Sequence, residues 1–360
     1  MSDDLTDEAA ELHARGDAAL VSGDVEAAAD LAARALALFE AADPEHPDVA
    51  NALLLCARVA HSRSDFRRAC ELAERAVGIM EAASREWPDE LIVWQIRAHA
   101  IARLAAALQA LGRYDDAERR INEALVELEP RLGTAGEIGD LQNLLGISHK
   151  YQARYDEAAA RYRRAIEIVE ALHGRDCVEM AGLEHNLGGL HQAKGEPALA
   201  EPHARRAVEL RERLLGPDHP DVAADLSAWA TILDDLGRSK QAEQALQRAL
   251  AIFERAYGAQ HFEVGFTLGT LGAIYAGAER FDEAAAVLTR ARTILATLLD
   301  DDHVEVARID EYLAIVAHHR GDRATALALA ERALAACTRT FGADHPRTRD
   351  ARATRDAVAI

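Results

Sequence analysis

Apolar and small residues recur along this chain with a period of about 42 residues. Residues 112–117 (Gly-Arg-Tyr-Asp-Asp-Ala) return in similar form at 153–158 and 279–284, and looser copies occur at five further places. Successive copies begin 41, 48, 41, 42, 42, 42 and 42 residues apart, at Gly23, Ser64, Gly112, Ala153, Gly195, Gly237, Glu279 and Gly321. The pattern therefore predicts eight repeated units, interrupted once by an insertion of six residues.

Two columns of alanine fix the register of the repeat. Alanine stands five and twelve residues after each of the eight starts, and seven residues make two helical turns, so both alanines lie on one helix face. A large and a small residue also precede most starts, as Leu187 and Gly188 do. Small side chains let a neighbouring helix approach closely. Each unit is therefore predicted to be a helix, a tight turn and a second helix.

The joints between units repeat as well. Glycines at these joints are predicted to end the second helix in the left-handed conformation (Gly174, Gly216, Gly258 and Gly342). Asp218 or His219 is expected to cap the helix that follows. Histidines recur in this column at 219, 261, 303 and 345, and Cys177 occupies the same place. Equivalent positions on stacked helices lie roughly 10 Å apart, whereas zinc ligands converge to about 2.0–2.1 Å, so we expect a structural role and no metal.

The chain resembles the tetratricopeptide repeat family, in the 42-residue form similar to that of kinesin light chains. The motif is clearest in residues 185–195 (His-Asn-Leu-Gly-Gly-Leu-His-Gln-Ala-Lys-Gly). The expected fold is all-α: a right-handed superhelical solenoid of eight helix-turn-helix repeats over residues 5–345, with an insertion near 84–98. Residues 346–358 are expected to form a C-terminal capping helix, since a terminal repeat has no neighbour on one side.

Composition and charge reduce the number of function classes that fit this chain. Hydrophobic residues make up 49% of the chain but aromatic residues only 5%, which favours helices packed through small side chains. A net charge of −20 argues against generic nucleic-acid binding. No apolar run of ~18 residues occurs, so no membrane span is predicted. An acidic start and four widely spaced cysteines suggest a cytoplasmic protein with reduced thiols, and the Ala- and Arg-rich composition suggests a GC-rich bacterial genome.

No catalytic motif is evident in the sequence. It contains neither a phosphate-binding loop ending in Lys-Ser/Thr nor a Gly-x-Ser-x-Gly or His-Glu-x-x-His motif. Residues 133–139 space three glycines, but they follow a predicted helix and are interpreted as a loose loop between repeats. We therefore predict no enzymatic activity and no cofactor.

The first helices of the units are expected to line a concave groove. Counting back from each turn places amide, imidazole, ammonium and phenol groups along one wall, and amides match the donors and acceptors of a peptide backbone. The predicted peptide- or partner-binding residues are Asn143, Lys150, Tyr151, His185, Asn186, Gln192 and Tyr312. By resemblance, Asn186 matches the asparagine that kinesin-light-chain-like repeats direct at bound peptide. Gly189 and Gly269 are expected to leave room for ligand side chains.

These patterns predict a non-catalytic adaptor or scaffold that holds a protein or peptide partner in its groove. A peptide-responsive regulator that changes superhelical pitch is an alternative. So is self-association between the acidic first unit and the arginine-rich last helix. A small molecule in the groove, or a groove that is merely hydrated, also remains open. Trp87 and Trp94 in the insertion are interpreted as packing residues, with a partner contact as the alternative.

Overall fold

The computed structural model describes residues 2–360, with side chains from residue 6 onward, and Met1 lies outside that range. Within it the chain forms seventeen α-helices and no strand. The helices are α1 (Ser2–Val21), α2 (Val25–Ala42), α3 (Pro47–Ser62), α4 (Phe66–Glu86), α5 (Leu91–Ala110), α6 (Tyr114–Leu132), α7 (Gly136–Tyr151), α8 (Tyr155–His173), α9 (Val178–Ala193), α10 (Pro197–Leu215), α11 (Pro220–Asp235), α12 (Ser239–Tyr257), α13 (Phe262–Gly277), α14 (Phe281–Leu298), α15 (Val304–His319), α16 (Arg323–Phe341) and α17 (Pro346–Ala359). The all-α repeat prediction is confirmed.

Every repeat turns through the left-handed region at its predicted start. Five of the starts are glycines with φ between 72° and 85°. The other three are Ser64, Ala153 and Glu279, with φ of 62°, 60° and 58°, and they are the non-glycine residues with positive φ in the described part of the chain. The turn geometry is therefore common to all eight units and is imposed even where the side chain opposes it.

The two alanine columns form the contact between the paired helices. All sixteen alanines are between 0 and 4% exposed. Larger neighbours such as Leu53, Leu288 and Phe253 fill the spaces beside them and are equally buried. The predicted close approach of helices through small side chains is thus confirmed.

Histidine caps the helix that follows each of these joints. Of the two predicted caps, Asp218 and His219, the structure therefore selects His219. The Nδ1 atoms of His46, His219, His261, His303 and His345 each accept the backbone N–H two residues later, and the Cys177 sulfur takes the same role at α9. The joint glycines have positive φ, but their ψ was predicted wrongly. Gly216, Gly258 and Gly342 have ψ of 157°, 166° and 168°, a region that only glycine visits readily rather than the left-handed helical one.

Two irregular regions differ from their prediction. Residues 136–139 are not a loop but the first turn of α7, with Ile138 buried, because a single apolar anchor suffices to continue the helical pattern there. The insertion lengthens α5 to 20 residues, compared with 16 in α3. Trp94 is buried, as the packing interpretation requires, whereas Trp87 is 36% exposed and does not pack in the core.

The insertion also makes α5 both long and apolar. Among the described residues it is the one helix long and apolar enough to cross a membrane by length and composition. Its apolar window is 61% buried inside the protein, and it packs against α3, α4 and α6. That burial is typical of a core helix.

The helices form two compact units. The first comprises Met1–Ser148 with Arg163–Ile168, and the second comprises His149–Tyr162 with Val169–Ile360. In the second unit the backbone of each odd-numbered helix from α9 to α17 lies close to that of the next odd-numbered helix. The backbones of consecutive even-numbered helices from α10 to α16 are further apart, and long side chains such as Arg248 and Glu212 bridge the distance. The odd-numbered helices therefore form the inner, concave layer of this unit, and the even-numbered helices form the outer layer.

Replacing Glu279 by glycine should stabilise the protein by about 0.5–1 kcal/mol. The change relieves ~1–2 kcal/mol of left-handed strain, of which glycine's greater backbone entropy when unfolded cancels about 0.5–1 kcal/mol. Urea denaturation followed by circular dichroism measures the difference. The matched control is Ala278→Gly at the preceding exposed residue, whose φ is −86°; it should lower stability instead. Equal effects of the two changes would contradict the strain argument.

Candidate functional site

The inner layer of the second unit is closed by a contact between distant parts of the chain. The Nε2–H of His345 donates to the carbonyl oxygen of Tyr151 over 2.9 Å, across 194 residues of sequence. The other ring nitrogen of His345 accepts the backbone N–H of Arg347. One neutral tautomer satisfies both bonds. The end of α7 therefore lies beside the start of α17, and the concave surface between them forms the candidate site.

Lys150 and Tyr151 stand on this surface. The Lys150 ammonium lies 4.8 Å from the centre of the Tyr151 ring, a cation–π contact. Burial lowers the pKa of Lys150 to about 8 and, together with the negative charge of Glu305, raises the pKa of Tyr151 to about 12. Tyr151 is nevertheless 40% exposed. No ion pair or hydrogen bond holds the Lys150 ammonium within the described residues, so it is available to a ligand.

A row of acidic residues follows the histidine caps along the same layer. Asp221, Glu263 and Glu305 each stand two residues after a capping histidine, and Arg347 takes that position at the last joint. Glu305 accepts a hydrogen bond from the Arg308 guanidinium over 3.0 Å. Within the described part of the chain, Glu263 has no such basic partner.

The two glutamates consequently differ in charge behaviour. Burial, reinforced by the nearby carboxylates of Asp221 and Glu305, raises the pKa of Glu263 to about 7. Burial also pushes the pKa of Glu305 upward, but the positive charge of Arg308 leads the effects that bring it below its ordinary value. The site thus holds one carboxyl group that ionises near neutral pH beside one that stays ionised.

His185 and Gln192 join neighbouring helices. The Nδ1–H of His185 donates to the buried Asp225 carboxylate over 2.7 Å, and Arg211 binds the same oxygen over 2.7 Å. The Gln192 amide donates to Asp235 over 2.8 Å and accepts from the Thr231 hydroxyl over 3.1 Å. Both side chains therefore hold α9 against α11, besides any role toward a ligand.

The remaining predicted residues are dispersed. Asn186 is buried in α9 at 9% exposure, and Tyr312 is partly buried in α15. Asn143 belongs to the first unit, whereas the other six predicted residues belong to the second. The structure brings Lys150 and Tyr151 together, and the ligand-binding role of all seven stays a prediction.

Two glycines that were expected to leave room for a ligand do not. A side chain on Gly189 would start 3.2 Å from the Lys150 ammonium, and one on Gly269 would start 2.2 Å from Ile309. The space above each glycine is filled by the protein itself. Gly277, by contrast, has no atom within 4 Å of that position.

Sequence reasoning missed the groups that give this surface its charge, namely Glu263, Glu305, Arg308 and Arg347. The signal was present in the joints, where an acidic residue recurs two places after each histidine until Arg347 replaces it. Among the described residues no group of three or more His, Cys, Asp or Glu could hold a metal ion, and the four cysteines are free.

The sequence matches a tetratricopeptide repeat profile over residues 97–171, 179–255 and 226–297, and a second such profile over 311–347. The first profile alone covers more than half of the chain. The chain belongs to the tetratricopeptide repeat family. Among curated proteins, none matches the sequence.

Solved tetratricopeptide repeat structures share the fold. The Rap protein complexed with competence and sporulation factor matches with a TM-score of 0.62 at 13% identity, over 98% of this chain and 99% of that one. NprR in complex with its cognate peptide NprX gives 0.58 at 15% identity, over 86% of each chain. BtubC (BKLC) from P. vanneervenii gives 0.50 at 24% identity, over 65% of this chain and 92% of that one. These similarities establish the architecture.

The two glutamates should respond oppositely to substitution. The folded-state pKa of Glu263 is raised, so its stabilising contribution is present below about pH 4.5 and is lost as the pH rises through about 7. Glu263→Gln should therefore raise the free energy of unfolding at pH 8 by about 1–3 kcal/mol relative to wild type, with a smaller gain at pH 5. Urea titrations at both pH values measure this.

Glu305→Gln is the matched comparison at the equivalent position of the next repeat. Its folded-state pKa is lowered, so its contribution is present at neutral pH and is lost as the pH falls through that value. The variant should be less stable than wild type at pH 8, and the difference should shrink on acidification. A gain at pH 8 in both variants would contradict the assigned environments.

Proposed function

We propose that this protein is a non-catalytic adaptor of the cytoplasm, which holds a peptide segment of a partner protein against the concave surface of its second unit. Membership of the tetratricopeptide repeat family supports a role in protein interaction. The surface between Lys150 and Glu263 is the proposed binding site.

The observation that carries this proposal is the Lys150 ammonium, which lies on the inner layer over the Tyr151 ring and has no anionic partner among the described residues. A partly desolvated cation gains most from a ligand that supplies an acceptor. The half-exposed Tyr151 ring offers the kind of aromatic anchor found at the centre of protein interfaces.

The proposed binding surface also carries acidic side chains. Asp221 lies near Glu263, and after burial its negative charge is the largest effect that raises the pKa of Glu263, which has no basic partner among the described residues. A Lys or Arg side chain of a bound peptide would relieve that repulsion. A segment that places a backbone carbonyl or carboxylate on Lys150 and a basic side chain on Glu263 thus fits the surface best.

Replacing Lys150 should weaken peptide binding. Random peptides displayed on phage are selected on the wild-type protein, and the best are titrated by calorimetry. Loss of a hydrogen bond to a charged group costs about 1.5–3 kcal/mol, so Lys150→Met should raise the dissociation constant roughly tenfold to a hundredfold. Lys240→Met, on the exposed surface of α12, is the matched control and should leave the constant unchanged.

If the selected peptides bind both variants with wild-type affinity, the binding site lies elsewhere than on this surface. If no peptide is enriched, the adaptor proposal loses its support, and self-association or a small ligand becomes the better explanation. The melting temperature of each variant distinguishes a weakened peptide interaction from a destabilised fold.

A regulator that changes shape on binding is favoured by the closing contact between His345 and Tyr151. One hydrogen bond of this kind contributes only about 0.5–1.5 kcal/mol. A ligand on Lys150 and Tyr151 could therefore open or tighten the second unit.

Replacing His345 by asparagine tests this alternative. Asparagine can still cap α17, but its shorter side chain cannot reach the Tyr151 carbonyl. For a regulator, the radius of gyration from small-angle X-ray scattering should increase in His345→Asn, and the selected peptide should shift the wild-type value. His219→Asn, which alters a cap at an equivalent joint, should leave it unchanged. Identical scattering from all samples would leave the rigid adaptor as the better description.

A further inference from the structure

The insertion between α4 and α5 presents apolar side chains to solvent. Residues 85–92 are all exposed, and they include Trp87 at 36%, Leu91 at 55% and Ile92 at 57%. No other unit carries this segment, because it is the six-residue departure from the repeat. Exposed large apolar side chains of the regular units stand singly along the chain, as Val126 and Leu199 do, whereas these three fall within six residues. We call Trp87, Leu91 and Ile92 the insertion patch.

The segment that carries the insertion patch is held firmly. The carbonyl oxygen of Pro88 accepts hydrogen bonds from the Trp94 indole over 2.9 Å and from Arg131 over 2.6 Å. The Arg131 guanidinium also stacks on the Trp94 ring, 4.2 Å from its centre. The buried Trp94 thus supports the loop from beneath. A surface held in this way loses little conformational entropy on binding.

The edge of the insertion patch is acidic. Glu86, Asp89 and Glu90 are exposed, and none forms an ion pair within the described residues. Arg97 forms an ion pair with Glu127 over 2.9 Å, which leaves Arg85 and Arg131 as two basic residues near these three acids. The uncompensated charge around the insertion patch is therefore negative.

We propose that the insertion patch is a second protein-docking surface, independent of the concave site, and that its partner is an amphipathic segment whose apolar side chains are flanked by lysine or arginine. The apolar residues would supply the buried centre of the interface, and Glu86, Asp89 and Glu90 its charged rim. The same acidic rim disfavours an anionic membrane and disfavours a second copy of the patch, since like charges would meet in both cases.

The test uses two designed helical peptides of leucine with lysine and of leucine with glutamate, arranged at the spacing of an amphipathic helix. Fluorescence anisotropy at physiological ionic strength measures their binding to the full chain. The lysine peptide should bind wild type, and the triple variant Trp87→Ser, Leu91→Ser, Ile92→Ser should bind it at least tenfold more weakly. Because this variant keeps the net charge of −20, general attraction to an acidic protein cannot produce the difference.

Three further variants separate the possible causes. Val126→Ser removes an apolar side chain that is 75% exposed on α6 and should leave binding unchanged. The neutral triple variant Glu86→Gln, Asp89→Asn, Glu90→Gln should weaken the lysine peptide several-fold and reduce its salt dependence. Lys150→Met should bind as wild type does, which distinguishes this surface from the concave site. All substituted residues of the patch and its rim are exposed, and unchanged melting temperatures verify the fold.

Equal binding of the lysine peptide to wild type and to the serine triple variant would overturn the proposal. So would stronger binding of the glutamate peptide. Binding to phosphatidylserine vesicles that is lost in the serine variant, with no peptide binding, would assign the patch to a membrane instead. Concentration-dependent dimerisation in sedimentation velocity that is lost in the same variant would assign it to a second copy.

Discussion

The fold depends on how closely two helices can approach at the alanine columns. Each pair of helices meets where the side chain is a single methyl group, and sixteen such alanines are almost completely buried. Between α13 and α14 even a methyl group is too large, since a Cβ atom on Gly272 would lie 2.4 Å from Cγ of Leu288. Larger side chains there would overpack the core at a cost of about 1–3 kcal/mol. This constraint explains why a chain so rich in hydrophobic residues has so few aromatic ones.

Much of the fold follows from the sequence because it is repeated. The left-handed turn is visible in the five glycines and is strict enough to hold for Glu279, and the histidine column at the joints predicts its caps. What the repeat does not encode is where a long side chain goes. Lys150 belongs to a different repeat, and its side chain fills the space over Gly189. The small residues along α9 do not indicate that a side chain from another repeat lies there. The helical start of α7 was missed for a related reason, since three glycines outweighed one buried isoleucine.

Equivalent positions need not be equivalent in chemistry. Glu263 and Glu305 share a backbone geometry, a histidine cap and a place in the inner layer, but their pKa values shift in opposite directions. Three residues after Glu305 stands Arg308, whereas Phe266 and Ala224 occupy the corresponding places in the two preceding repeats. Arg308 also covers the Phe266 ring at 4.7 Å. One substitution within a repeat thus sets the charge of its own helix and the surroundings of its neighbour, which is how a uniform scaffold acquires a specific surface.

The hydrogen bond between His345 and Tyr151 gives the second unit a long-range contact, which a simple stack of repeats does not have. A stack of repeats has contacts only between neighbours, so its contact order is low and it can grow from any nucleus. A bond across 194 residues carries a loop-closure cost that is met only after the intervening repeats have ordered the chain. The closure must therefore form last during folding. For the same reason this hydrogen bond is the first to break when any repeat within the loop melts. The contact between the end of α7 and the start of α17 therefore reports on the integrity of the whole unit.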